Sequence, residues 1–221
     1  MDKFKTLNLL DLSHTLAIKL FEKEEFPWTA INKIGDFIIE IGKSLSKSKF
    51  SEISQNIWVA KDTQIPKQSC ILSPTIIDSN AQIRYGAFIR GNVIVGKNSI
   101  VGNSTELKNC ILFDNSQTPH FNYVGDSILG FKAHIGAGVI ISNLKSDKSN
   151  VKIKFNDQTI DTNMKKLGAI LGDFSEVGCN SVLNPGTIIG RASTVYPLTM
   201  VRGTVESRYI LKNNLELVKK L

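Results

Sequence analysis

Residues 83–101 read IRYGAFIRGNVIVGKNSIV. A large apolar residue stands at every sixth place of that stretch, at Ile83, Ile89, Val95 and Val101, and the spacing extends both ways. Upstream it takes in Val59, Ile65, Ile71 and Ile77; downstream it takes in Leu107 and Phe113. The phase is lost around Pro119 and resumes four positions out of step at Leu129, Ile135 and Ile141. After an irregular stretch it continues through Leu171, Val177, Leu183, Ile189, Val195 and Val201. Four places beyond these nineteen positions, sixteen residues are Ser, Thr, Ala or Val, the exceptions being Ile111, Gln117 and Lys145. An α-helix cannot hold a strict six-residue stripe on one face, and plain strand alternation would not require a small residue at the fourth place. Short strands joined by tight corners satisfy both demands. The large side chain fills the interior, the small one fits beside a corner, and glycines such as Gly96, Gly102, Gly136 and Gly178 supply backbone freedom there. The predicted fold is therefore an all-β repeat, a parallel β-helix whose coils cover one another and whose ends need caps. At three hexads per coil, Arg90 and Lys108 stack one coil apart.

The flanks read differently. Residues 1–50 lack the hexad and are expected to form a small N-terminal helical cap. Asp11 or Ser13 can cap a short helix reaching about Glu22, and Phe26-Pro27-Trp28-Thr29 reads as a turn with an N-cap. Ile31, Ile34, Phe37, Ile38, Ile41 and Leu45 mark an amphipathic helix whose apolar face is expected to cover the first coil. Residues 51–221 form the β-helix domain. Within it, residues 144–166 leave the repeat, and Val151–Phe155, Asn156-Asp157 and Gln158–Ile160 predict a hairpin in an arm projecting from the solenoid.

Composition narrows the classes of function. The chain has 221 residues, 42% hydrophobic and 21% charged, which excludes a disordered or collagen-like protein. No apolar stretch approaches the roughly 18 residues a spanning helix needs, and no secretory signal is read at the start, so a cytoplasmic protein without membrane attachment is expected. Cys70, Cys110 and Cys179 are odd in number and widely spaced, which fits neither a disulfide framework nor a zinc ribbon. Lys and Arg exceed Asp and Glu by 27 to 20, a balance suited to phosphorylated ligands. No stacking-aromatic or groove-reading motif supports a nucleic-acid partner.

Function in repeat proteins gathers where the repeat breaks. Here the break reads Thr118-Pro-His-Phe-Asn-Tyr-Val-Gly-Asp126 and carries His120. Residues 83–205 resemble the acetyltransferase domain of the bifunctional N-acetylglucosamine-1-phosphate uridyltransferase/glucosamine-1-phosphate acetyltransferase family, chiefly its archaeal and stand-alone members. The resemblance rests on Glu106-Leu-Lys-Asn, on His120-Phe-Asn-Tyr-Val-Gly-Asp and on Ile135-Gly-Ala-Gly-Val-Ile-Ile-Ser-Asn143. It implies a left-handed β-helix, a homotrimer with sites at subunit interfaces, and acetyl-CoA as acyl donor with no metal required. His120 then matches the general base, Arg90 and Lys108 the sugar-phosphate clamp, and Tyr123 a substrate-contacting tyrosine. Asn143 matches an asparagine lining the amino-sugar and thioester site, and His134 an acceptor-pocket position where asparagine is more usual. Ala137 matches a backbone contact to the acetyl group or coenzyme, and Cys179 and Pro197 later-coil contacts to coenzyme A.

The chemistry agrees with these residue types. Amine attack on a thioester needs a neutral amine, and histidine ordinarily titrates where it can remove that proton. Arginine offers phosphate a two-pronged donor and lysine a point charge. The expected activity is acetyl-CoA-dependent N-acetylation of an amino-sugar phosphate in nucleotide-sugar biosynthesis. Glucosamine 1-phosphate is the leading acceptor and a nucleotide-linked amino sugar an alternative. The Gly-rich loop and signature of the uridyltransferase half do not occur in residues 1–50, so that activity is not expected of them. Two rival readings are a zinc enzyme like the γ-class carbonic anhydrases, which needs three clustered histidines, and a non-catalytic trimeric scaffold or ligand-binding protein.

Overall fold

A computed structural model describes residues 1–220. The hexads wind as a parallel β-helix of three faces. Face one stacks Ile57–Ala60, Thr75–Ile77, Val93–Val95, the second halves of Glu106–Leu112 and Tyr123–Leu129, then Ala169–Leu171, Thr187–Ile189 and Thr204–Val205. Face two runs from Gln82–Ile83 through Ile100–Asn103, Gln117–His120, His134–Ile135, Glu176–Val177 and Thr194–Val195 to Tyr209–Leu211. Face three runs from Cys70–Ile71 through Phe88–Ile89, the first halves of the two long strands, Ile140–Ile141 and Val182–Leu183 to Met200–Val201. Ile83, Ile89, Val95, Val101, Leu107 and their later counterparts line one continuous buried core. Both ends of the stack are closed by antiparallel pairs, Phe50–Ser54 on Ile57–Ala60 at one end and Leu217–Lys219 on Tyr209–Leu211 at the other.

The phase slip has a different origin from the one the hexads suggested. Interior positions run Leu107, Leu112, Val124 and Leu129, with Thr118 buried between the middle two, so the spacing shrinks to five twice. Both short steps fall at the corner between faces three and one, at Asn109 and Asp126, where coils lose a residue and repeat every 17. Phe113 is accordingly outside the lumen, packed 5.6 Å from the Phe21 ring. The exceptions to the small-residue rule follow. Cys110, fully buried and in register with Val93, takes the corner place counted to Ile111; Ser116, fully buried and bonded to the Phe113 carbonyl, takes the one counted to Gln117; and Lys145 belongs to the insertion. His120 therefore does not sit at a phase break.

The two non-repeat segments share one task. Face one carries an outward row of Ile76, Ile94, Ile111, Ile128, Ile170 and Ile188, all buried under the N-terminal segment and residues 144–166. Helical pieces Thr6–Leu9, Ile18–Phe21, Pro27–Lys33 and Ile34–Gly42 supply Leu9, Phe21, Trp28, Ile31, Ile34 and Ile38 to that cluster. The amphipathic helix thus covers a flank of several coils and not only the first. It comes so near that a Cβ on Gly35 would lie 2.5 Å from Asn92 Oδ1, and one on Gly42 2.3 Å from the Trp58 ring.

The expected hairpin is present as Lys152–Phe155 on Gln158–Asp161. It does not project as expected, but folds back on the same flank. Val151 and Ile153 are fully buried, Phe155 meets Phe4 edge-on at 5.0 Å, and Thr204 Oγ1 donates to the Lys154 carbonyl. An apolar side chain at every second arm position makes that burial the lower-energy arrangement.

Asp173 pins the N-terminal segment to the solenoid. Its fully buried carboxylate accepts from the Asp11 and Phe131 backbone N–H groups at 2.8 and 2.9 Å and meets Arg191 Nη2 at 3.1 Å. Burial pushes this carboxyl above its ordinary range despite those donors. Asp173→Ala would orphan both N–H groups and is expected to cost about 2–3 kcal/mol in urea unfolding. Unchanged stability would mean the pin holds nothing.

Candidate active site

Two groups of the residues singled out in the sequence form on opposite edges of face three. The first lies toward face one. Arg90 and Lys108 are in register on adjacent coils, with the Arg90 N–H donating to the Leu107 carbonyl at 2.8 Å. The guanidinium is not free, because Arg90 Nη1 donates to Glu106 Oε1 at 2.6 Å. Lys108, half-buried, has no carboxylate within ion-pair distance among the described residues and is the open cation of the pair.

Tyr123 follows on the next coil, paired with Glu106 on one side and Ile140 on the other. Its hydroxyl accepts from Asn143 Nδ2 at 3.3 Å. Burial foremost, then the charges of Asp126 and Glu106, push the phenol upward, so it stays a neutral donor. Asn143 Nδ2 also donates to Asp126 Oδ2, whose second oxygen accepts from Asn109 Nδ2 at 2.8 Å. The glycine of Tyr-x-Gly-Asp has a steric reason. A Cβ on Gly125 would lie 2.7 Å from both Tyr123 Oη and Asn143 Nδ2.

The second group is a column along the corner between faces two and three. The backbone carbonyls of His120, Ala137 and Cys179 accept from the N–H groups of Gly138, Asn180 and Leu198 at 3.0, 2.9 and 2.9 Å. His120, Ala137, Cys179 and Pro197 therefore occupy the same place on successive coils. The glycines before them permit the stacking, since a Cβ on Gly136 would lie 2.7 Å from the Cys179 nitrogen and one on Gly178 2.4 Å from the Pro197 nitrogen. The His120 side chain is exposed, while its backbone N–H donates to Asn122 Oδ1 at 3.1 Å. Asn122, itself buried, donates onward to the Gly136 carbonyl at 2.8 Å. The Ala137 N–H makes no hydrogen bond among the described residues.

His134 stands apart from the first group. It lies on face two between Gln117 and Glu176 and lines a groove of about 400 Å³ with those residues, Asn115 and Lys132. His14, on the N-terminal segment, stacks on Phe131 with ring centroids 3.6 Å apart. Cys110 is fully buried and its thiol pushed far up by desolvation, which makes it inert. Glu106, Asn109, Asn122 and Asp126 are members of these networks that residue chemistry alone did not assign. A usable signal was present for two of them, since Asn92, Asn109, Asp126 and Asn143 recur at a spacing of 17.

The coils and their corner clusters define a hexapeptide-repeat protein of the β-helix class. Its family follows from comparison: the family described as GMPPB C-terminal domain matches residues 71–213, well over half of the chain, and the chain belongs to that family. It is 30% identical over 219 residues to the bifunctional sugar-1-phosphate nucleotidylyltransferase/acetyltransferase of Sulfurisphaera tokodaii, covering 90% of this chain and 51% of that relative. It is 36% identical over 132 residues to the bifunctional protein GlmU of Methanococcus maripaludis, covering 60% of this chain and 32% of the relative. The chain thus spans about half or less of the length of these curated relatives. Among solved structures it is similar to a variant of the N-acyltransferase AntD from Bacillus cereus in complex with dTDP-4-amino-4,6-dideoxyglucose and coenzyme A. That likeness has 19% identity and a TM-score of 0.40, covering 81% of this chain and 88% of the other. Among the described residues, no helix is long and apolar enough to cross a membrane.

Proposed function

We propose that this chain is an acetyl-CoA-dependent N-acetyltransferase for an amino-sugar phosphate, with glucosamine 1-phosphate the leading acceptor. The observation that carries the reading is the pairing of an open lysine, Lys108, with the Tyr123–Asn143 hydrogen bond on one edge of face three, opposite a column headed by an exposed histidine. The Sulfurisphaera relative, a bifunctional sugar-1-phosphate nucleotidylyltransferase/acetyltransferase, supports the same chemistry.

In this reading His120 takes a proton from the acceptor amine, and the nitrogen attacks the thioester carbonyl carbon. The carbonyl oxygen becomes an oxyanion facing the Ala137 N–H. Collapse breaks the carbon–sulfur bond, and the thiolate of coenzyme A recovers the proton from His120. The acetyl group stays on nitrogen. Lys108 and Arg90 hold the phosphate. The Arg90–Glu106 pair is partly exposed, so its opening costs little and leaves the guanidinium's remaining donors available. Cys179 and Pro197 line the coenzyme groove, and His134 contributes to the acceptor pocket.

The two groups occupy opposite edges of one face, which supports a homotrimer whose sites combine one chain's His120 column with a neighbour's Lys108–Tyr123–Asn143 edge. The outward row of face three runs Phe88, Glu106, Tyr123, Ile140, Val182 and Met200, of which Phe88, Ile140, Val182 and Met200 are apolar and each exposed by 36% or more. A row of that kind suits burial against a second copy. Light scattering should return three times the chain mass, and a monomer would remove the shared site.

The test is coenzyme A release from acetyl-CoA, detected by mass, with glucosamine 1-phosphate, galactosamine 1-phosphate and free glucosamine. Turnover should require the phosphate. Lys108→Ala should raise KM for the phosphorylated acceptor about tenfold to a hundredfold while leaving the acetyl-CoA KM unchanged. Acetyl-CoA binding without turnover on any of the three would point to another amine, such as a nucleotide-linked sugar. Neither binding nor turnover would leave the scaffold reading.

A further inference from the structure

The Tyr-x-Gly-Asp stretch ends in a carboxylate that the mechanism above does not use. Asp126 is 5% exposed, stands at one of the two shortened corners and has φ of +49°, a left-handed conformation that aspartate tolerates better than most residues. The coil before it places Asn109 at the same corner with φ of +48°, and the coil after it places Asn143 there. The five-residue steps bring these side chains into one ladder along the helix axis. In it, Asn109 Nδ2 donates to Asp126 Oδ1 and Asn143 Nδ2 to Asp126 Oδ2. The backbone locks the ladder from behind, where the chain re-enters after residues 144–166: the Gly168 N–H donates to the Asp126 carbonyl at 2.8 Å and the Leu167 N–H to that of Asn143 at 3.0 Å.

A carboxamide has two ends of similar shape and opposite hydrogen-bonding sense, and only its surroundings choose between them. A carboxylate only accepts, so it selects the nitrogen end. At Asn143 the nitrogen is used twice, toward Asp126 and toward Tyr123 Oη, while Oδ1 makes no hydrogen bond among the described residues. The chosen end therefore leaves an acceptor oxygen open beside a tyrosine hydroxyl that already accepts and can still donate.

We propose that Asp126 is a positioning residue, holding Nδ2 of Asn143 inward so that Oδ1 faces the acceptor and receives an N–H of its amine. Asn109 holds Asp126 from the other side but does not itself choose the orientation of Asn143. This rests on the acetyltransferase reading for its consequence in turnover, and on the ladder alone for the orientation of the amide.

The experiment has one readout for each. In protein labelled with [15N]asparagine, the Asn143 side-chain amide is assigned by its absence from Asn143→Ala. Its protons should exchange with solvent about tenfold or more slower than those of exposed asparagines, and Asp126→Asn should abolish that protection while Asn109→Ala retains it. In the acetyl-transfer assay, Asp126→Asn and Asn143→Ala should each lower kcat by about tenfold to a hundredfold with the acetyl-CoA KM unaltered. The double variant should be no worse than Asn143→Ala alone. Protection that survives Asp126→Asn overturns the proposal whether or not the protein transfers acetyl groups. Additive losses in the double variant, or Asn109→Ala matching Asp126→Asn, would make the ladder structural only. A wild-type protein that neither binds acetyl-CoA nor turns over any acceptor but shows the expected exchange pattern would sink the acetyltransferase reading and keep the orientation of Asn143.

Discussion

His120→Ala is expected to fold and assemble as the wild type does, to bind acetyl-CoA with unchanged affinity, and to lose turnover by about a hundredfold to ten-thousandfold. The structural half of that expectation rests on what His120 contributes to the coil. Its backbone N–H is held by Asn122 and its carbonyl by Gly138, while its ring is exposed, so alanine keeps every bond the fold uses. The chemical half rests on the position of the ring at the head of the column that continues through Ala137, Cys179 and Pro197. In the proposed reaction a base there meets a thioester laid along the corner. Circular dichroism, light scattering and acetyl-CoA binding on the same preparation separate the halves. Activity within a few-fold of wild type removes His120 from the mechanism. Lost activity with lost assembly would show that the corner needs the imidazole for packing.

Much of the fold was legible because a lumen position allows only a narrow choice of side chain. A residue pointing into a coil meets the coils above and below and must be large and apolar, so the period survives into the sequence at Ile83, Ile89, Val95 and Val101. The shortened corners were harder to read. Removing a residue at Asn109 and another at Asp126 shifts the phase by two in total, which a six-residue count reports as a jump of four near Pro119. Counting by 17 across Asn92, Asn109, Asp126 and Asn143 would have located both. The candidate site divided in the same way. His120, Ala137, Cys179 and Pro197 were matched through the family resemblance, and the column they form is the product of the repeat. The Arg90–Glu106 pair was not visible, because nothing in a single strand says that a glutamate sixteen residues on will turn toward an arginine. The inward course of residues 144–166 was obscured for a related reason. Alternating Val151, Ile153 and Phe155 identified a hairpin, but whether its apolar side faces a neighbour or its own solenoid depends on an uncovered flank elsewhere in the chain.

That flank makes Trp28→Ala the most destabilising single change expected outside the lumen. A β-helix with an apolar lumen can present polar residues on its outer faces, yet face one repeats isoleucine outward at Ile76, Ile94, Ile111, Ile128, Ile170 and Ile188. In each Thr-Ile-Ile, Val-Ile-Val, Cys-Ile-Leu, Ser-Ile-Leu or Ala-Ile-Leu strand the central isoleucine faces out and the apolar residue after it faces the lumen, so the sheet is apolar on both sides, which is the signature of a covered layer. Trp28 sits in that cover with 1% exposure, stacked on Phe26 at 4.5 Å between centroids. Truncation to alanine leaves a cavity between helix and sheet and should cost about 3–5 kcal/mol. The loss should appear as one cooperative transition at lower denaturant, because the helices and face one share a single apolar cluster. Were residues 1–50 only a lid on the first coil, Trp28→Ala would melt that lid separately and leave the solenoid's midpoint where it was. Tryptophan emission cannot follow the variant cleanly, since Trp58 lies under the next helix, Ile34–Gly42; circular dichroism near 218 nm reports the sheet directly. A two-step transition, or an unchanged sheet midpoint, would mean that the outer isoleucines tolerate water and that the N-terminal segment is an accessory to the fold rather than one of its layers.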